Sequence, residues 1–428
     1  MTDHDAIVRA VCDHPDDDTP RLIYADFLEE NGELDRAGFV RAQVELARTP
    51  AWEPFAVLCR HRQRSWSDHG EPFRGSLPEF PTGWNLKWHE RAFHRGLGWR
   101  VMVGSLHAWE EIAPWLFDHA PVGELHLQAP ATLDDWWRFA AASWVRRLRA
   151  VHLRAGSPVM PVRALCASPL TTGITELAFH VATSPGLPIL VSDLLGTRLG
   201  VGLRSLSFRL GEHSGLEDLI RGITTDGVGF DRLTMEMMGL TPDLIRLWCD
   251  RGGPAQLTEL DLANNYAIGN VGARVLVAGL QRSGLHTLGL GGIGMAASGV
   301  MAVAGCSGLA GVRRLDLSRN VIPTAAVRAL AGSEILAGVR SLSLRRCQIG
   351  DRAVRRLTQA RFWPNLVELD LRENPITGPA VGHLMKAPVP PDLTALLLDA
   401  TPLSARSQAA LREHFGERVI LTQPEESI

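Results

Sequence analysis

Lysine is almost missing from this chain of 428 residues: Lys87 and Lys386 stand alone, and arginine carries the rest of the positive charge. That bias reads as GC-rich coding rather than arginine-specific recognition. Neither sign of charge is in excess, since the formal net charge is −3. A broad cationic footprint for nucleic acid is thereby excluded. The six cysteines, Cys12, Cys59, Cys166, Cys249, Cys306 and Cys347, include no CxxC pair and no dense framework. They read as reduced, mostly buried thiols in a reducing compartment, so the cytoplasm is the expected location. The opening Met1-Thr-Asp-His-Asp is polar and acidic, with no apolar signal region after it. No run of about 18 apolar residues occurs, so no membrane span is expected.

Catalytic signatures are missing as well. The chain has no GxSxG elbow, no GxxxxGK[ST] phosphate loop and no HExxH. No catalytic residue, cofactor or metal is therefore expected. His61 with His69, or His89 with His94, come nearest to a ligand pair. The i, i+5 spacing of His89 and His94 does not share a helical face. Asp26, Glu29 and Glu30 read as a solvated helix face. Gly289-Leu-Gly-Gly-Ile-Gly294 looks like a glycine loop, but its first residues fall on a strand and its last at the following turn, which suits close packing.

What the chain has instead is a repeated sentence. Val312-Arg-Arg-Leu315-Asp-Leu317-Ser-Arg-Asn320-Val-Ile322 reads LxxLxLxxNxI. Residues 366–376 repeat it with Leu369, Leu371, Asn374 and Ile376, and residues 257–265 with Leu260, Leu262 and Asn265. Residues 339–349 repeat it with Cys347 in place of Asn. Leu315 and Leu317 alternate on a short strand and point inward. Asn320 stands where the chain turns away, and its amide can bond backbone groups that the bend leaves unpaired. One unit cannot bury its own apolar face, but neighbours stacked on it can. These motifs resemble the leucine-rich repeat family, and the unit length is similar to its ribonuclease-inhibitor class. The resemblance implies an α/β solenoid, a horseshoe with parallel strands inside and helices outside.

In chain order, residues 1–50 predict a small all-α domain: helices near 3–12, after Asp16-Asp-Asp-Thr-Pro20, and from about Leu34. The run Asp16–Gly32, followed by Phe39-Val-Arg-Ala-Gln43, resembles the repeat-companion domain found beside repeats in planctomycete-type bacterial proteins, with Phe27 where that family often has Trp. That resemblance implies lineage and architecture, not chemistry. Residues 51–96 form a connector and N-terminal cap in which Trp52, Trp66, Trp84, Trp88 and Phe93 are expected over the open end of the solenoid. Residues 97–428 form the solenoid and its C-terminal cap. Strands begin at Leu97 and then near Val122, Leu148, Ile174, Leu203, Phe230, Leu257, Leu285, Val312, Val339, Leu366 and Leu393, about 27 residues apart, as a strand plus a helix requires. The last helix, near 404–415, and Arg418–Leu421 close the end, and residues 422–428 are expected to be a loose tail.

The register predicts the concave face. Its expected contact residues are His126, His152, Arg154, His180, Arg209, Arg232, Glu236, Glu259, Asp261, Arg314, Asp316, Arg345, Glu368, Asp370 and Arg372. His126, His152, His180, Arg154 and Arg209 predict a locally basic end. Later charges alternate and can pair along the ladder, strands being about 4.8 Å apart. The recurring Leu-Asp-Leu makes Asp261, Asp316 and Asp370 features of the repeat. The arginines are the stronger contact residues, since Arg is enriched at binding hot spots. The expected function is a non-enzymatic scaffold that engages another protein, not nucleic acid or membrane, with the oligomeric state left open. Two other classes remain at this stage. One is a regulator, inhibiting or activating an enzyme such as a hydrolase or GTPase, by analogy with ribonuclease inhibitors and GTPase-activating leucine-rich proteins. The other is a structural assembly protein.

Overall fold

Each unit supplies a short strand, a turn and a helix, because alternation sends both leucines of Leu-x-Leu to one face and the residue between them to the other. The structure, a computed structural model, describes residues 2–61, 67, 70–128, 131–154, 159–180, 194–209, 215–224, 229–281 and 283–423. Trp66, His69 and residues 424–428 of the tail lie outside the described residues. The chain divides into two units. One holds residues 1–50, 59–210 and 225–229, the other residues 51–58, 211–224 and 230–428.

The first unit opens with helices Asp3–Asp13, Thr19–Glu30 and Leu34–Arg48. Thr2 and Asp5 form a capping box on the first, satisfying amides that no helical carbonyl can reach. Asp17 accepts the Thr19 amide at 2.8 Å. Val8, Val11, Cys12, Tyr24, Leu28 and Val40 share one core with Leu97. Ion pairs Asp16–Arg149 at 2.7 Å and Asp13–Arg147 at 3.2 Å also tie these helices to the repeat region. Asp26 and Glu29 both pair with Arg41, as a solvated helix face does.

The strands of this unit are β1 (Leu86–Trp88), β2 (Phe93–His94), β3 (Leu97–Gly98), β4 (Arg100–Val103), β5 (Glu124–Leu127), β6 (Ala150–Leu153), β7 (Glu176–Phe179) and β8 (Ser205–Arg209). The first strand predicted over 97–103 is thus split: Leu97–Gly98 pairs with β2 in a hairpin, and only β4 joins the main sheet. Strand β1 lies antiparallel on β4 and covers that edge. From β4 to β8 the strands run parallel in chain order.

In the second unit, β9 (Arg232–Glu236), β10 (Glu259–Asp261), β11 (Thr287–Gly289), β12 (Arg314–Asp316), β13 (Ser341–Ser343), β14 (Glu368–Asp370), β15 (Ala395–Asp399) and β16 (Val419–Thr422) follow one another in parallel. Leu260, Leu288, Leu315, Leu342, Leu369 and Leu396 stand side by side in register. All are buried, with the apolar sides of helices such as Gly269–Gly279 and Thr324–Gly332. Strands β10, β12, β13 and β14 end the same way. Asn264, Arg319, Arg346 and Glu373 adopt positive φ, and a buried Asn or Cys follows. Asn374 donates to the carbonyls of Leu344, Leu371 and Arg372 and accepts the amides of Cys347 and Ile349 at 2.9 Å each. Asn265 and Asn320 bond the preceding repeat in the same manner. Cys347, which cannot fill both roles, donates its thiol to the Leu317 carbonyl at 3.1 Å. Among the described residues, no helix is long and apolar enough to cross a membrane.

Candidate functional site

The residues between the inward leucines form one column per unit. His126, His152, Ala178 and Ser207 are register neighbours in the first. Thr234, Asp261, Gly289, Asp316, Ser343, Asp370 and Leu397 are neighbours in the second. The column before it aligns Arg232, Glu259, Thr287, Arg314, Ser341 and Glu368.

Over β9–β12 this face is charged and accessible. Arg232 and Glu259 are exposed register partners, and Glu236, Asp261, Arg314 and Asp316 are half-buried. Asp261 and Asp316 each accept the backbone amide two residues on, at 2.9 and 2.8 Å. Asp370 does the same for Arg372 at 3.1 Å, so the aspartates brace their own strand ends. Burial, opposed by that amide and reinforced by Asp316 and Glu236, raises the Asp261 carboxyl above its usual range. Gly289 leaves it room, since a Cβ there would stand 2.4 Å from Asp261 Oδ1. At Gly294, with φ +74, a Cβ would stand 2.2 Å from the Tyr266 carbonyl oxygen. Arg345 pairs with Glu373 at 2.6 Å, and Arg372 with Asp370.

From β13 onward the face is partly occupied by the chain itself. Residues 51–58 lie on it. The Trp52 ring stacks near His286 with centroids 6.0 Å apart, and Glu53 pairs with Arg340 at 3.2 Å. Val57 packs among Val367, Ala395, Leu397 and Ile420. Glu368 and Asp370, predicted as contact residues, are only 7% and 8% exposed. Glu368 accepts the Ser341 hydroxyl at 2.6 Å. The sequence pattern predicts Trp52 over an open end of the repeats, and the structure places it beside His286, just before β11. No periodic pattern announces so distant a contact.

In the first unit the predicted histidines do come together, and more closely than a basic patch requires. The His89, His126, His152 and His180 rings follow one another at centroid distances of 4.4, 4.2 and 5.6 Å. Burial, then the neighbouring His126, pushes His89 down to about 4. Burial, then His152, pushes His180 down to about 4. Burial also lowers His126, against the hydrogen bond it donates to Glu124. Of the five residues expected to form a basic end, His126 and His180 are thus held in their neutral form at pH 7; Arg154 is half-buried beside them and Arg209 is exposed. Glu124 explains much of the cluster. Burial pushes its carboxyl up, but the His126 hydrogen bond, Arg100 and His152 outweigh burial and hold it low. Glu124 and Glu176 were not among the expected contact residues, though both stand in the column before the histidines. Reading that column across the early repeats finds them.

A leucine-rich repeat family profile matches residues 256–277, which span β10 and most of the helix after it. No curated protein matches the chain. Among solved structures it is similar to a chain of the Rad7 and Elc1 complex of yeast, at 14% identity and a TM-score of 0.45, over 72% of this chain and 79% of that one. An internalin from Listeria monocytogenes is similar at 15% identity and a TM-score of 0.32, over 76% and 72%. The chain thus carries the leucine-rich repeat, in an α/β array of parallel strands and helices.

Proposed function

We propose that this chain is a non-enzymatic protein-binding module that receives another protein on the strand face over β9–β12. One observation carries the reading: charges of both signs, Arg232 and Arg314 among Glu236, Glu259, Asp261 and Asp316, stand at fixed spacing on rigid strands whose leucines are locked in the core. Charges placed so precisely select a partner by complementary potential more than by bulk affinity. Stacked repeats present such surfaces as a matter of architecture. A partner extending toward β14 meets Arg345, Arg372 and the segment 51–58, whose Val57 packs on Val367, Ala395 and Leu397.

The test exchanges a pair. Arg232→Glu with Glu259→Arg keeps opposite charges facing each other across β9 and β10 but inverts the pattern shown to a partner. The reading expects unchanged folding and a loss of at least about tenfold in capture of the native partner, as for paired interfacial charges. Undiminished capture of every partner by the exchanged protein contradicts it.

A further inference from the structure

Glu124, His126 and His152 bring a carboxylate oxygen and two ring nitrogens within 4.8 Å of one another on β5 and β6. Oε1 of Glu124 is the point of convergence, 2.7 Å from His126 Nε2 and 3.5 Å from His152 Nε2. Glu176 Oε1, one strand further on, lies 3.3 Å from the same His152 nitrogen. His126 is 3% exposed. Of the four ring nitrogens on these two histidines, only Nε2 of His126 has a hydrogen-bond partner; the other three are buried without one. Buried polar atoms are rarely left so, and a bound ion is one of the few physical reasons for it.

The rest of the arrangement suits a metal ion. Arg100 Nε donates to the far oxygen of Glu124 at 2.7 Å and so fixes which oxygen faces the histidines, as outer-shell partners of metal ligands do. A tetrahedral ion with bonds of about 2.0–2.2 Å sets its donors roughly 3.3–3.5 Å apart. The His152 contacts with Glu124 and Glu176 already have that spacing. The shorter His126–Glu124 contact opens by about 0.6 Å when a metal replaces the shared proton. Two carboxylates offset the nearby Arg100 and Arg154. We infer that this face binds one first-row divalent metal ion of the zinc type through Glu124, His126 and His152, with Glu176, beside His152 but outside that group of three, turning in as fourth donor. Imidazole with carboxylate is a donor set for zinc, cobalt or nickel rather than for calcium or magnesium. The inference does not depend on the protein-binding reading, because its donors belong to the first unit alone.

The test uses the full chain, freed of any purification tag and stripped with EDTA. Cobalt(II) is titrated in and followed by visible absorption, then displaced with zinc. One equivalent giving four-coordinate cobalt bands that zinc abolishes is the expected result. Glu124→Gln and His152→Ala each weaken binding by at least about tenfold, the scale seen when a ligand's surroundings alone are disturbed. Glu176→Gln weakens it too, at a position exposed enough to spare the fold. His107→Ala, which removes an exposed His107–Glu111 pair at 3.1 Å, leaves binding unchanged. Absence of stoichiometric binding overturns the inference, as does binding that survives Glu124→Gln and Glu176→Gln or falls with His107→Ala. Should the buried variants not fold, X-ray absorption of the cobalt-loaded wild type decides: two imidazoles with oxygen donors are expected, and a thiolate shell overturns the assignment.

Discussion

Replacing Asn374 by alanine tests how one repeat holds the next. Its amide makes five hydrogen bonds at 2.8–3.1 Å to two successive strand ends. Alanine leaves the Cys347 and Ile349 amides without their acceptor and the Leu344 and Leu371 carbonyls without their donor. Each buried group so stranded costs roughly 1–3 kcal/mol, and water reaches the outer ones, so the loss should be about 3–5 kcal/mol. Cys347→Ala at the equivalent position removes only a weak thiol donor and a small volume, at about 1–2 kcal/mol. Urea unfolding followed by tryptophan fluorescence compares the two, with Trp363 a buried reporter in this unit. Hydrogen exchange localises the effect, since the amides of Cys347 and Ile349 should lose protection in Asn374→Ala. Equal costs for the two variants, or unchanged exchange at 347–349, would refute the reasoning.

Val57→Asp sets a carboxylate among Val367, Ala395, Leu397 and Ile420 and should release residues 51–58 from the strand face, seen as faster proteolysis within 51–58 and increased binding of a hydrophobic dye. Unchanged cleavage there would show that the segment is not held by Val57. His94 gives a dependence on pH: burial, then Arg100 and Arg95, pushes it down to about 3 from an unfolded value of 6.5. Between those values the unfolded chain binds a proton that the folded one refuses, so its contribution is complete above about pH 6.5 and falls as the pH drops toward 3, by about 2 kcal/mol at pH 5. His94→Phe should flatten the fall in urea midpoint between pH 7.5 and 5; an identical slope in both proteins would remove His94 as its source.

The strands were legible because the repeat is. Leu315, Leu342 and Leu369 are register neighbours, as a Leu-x-Leu recurring about every 27 residues demands. The helix that each unit length requires occurs, for example, at Gly269–Gly279, Thr324–Gly332 and Asp351–Leu357. Even the degenerate early repeats kept register, since alternation alone fixes which side of a strand is buried. Three features were not legible. Residues 51–58 reach strands some 300 positions away through a few contacts with no period. Strand β1 reverses direction on the sheet edge, and its three residues carry no repeat signature. His126 and His180 looked cationic because type suggests charge; burial, which only the folded chain shows, holds both in the neutral form.

The central claim is that another protein docks on the strand face of the second unit. Hydrogen exchange of the full chain, alone and with the partner it captures, tests it most directly. The account predicts added protection in peptides covering 232–237, 259–264 and 314–319, with the helices at 269–279 and 297–304 unchanged. Protection confined to those helices, with the strand ends exchanging as before, would contradict it.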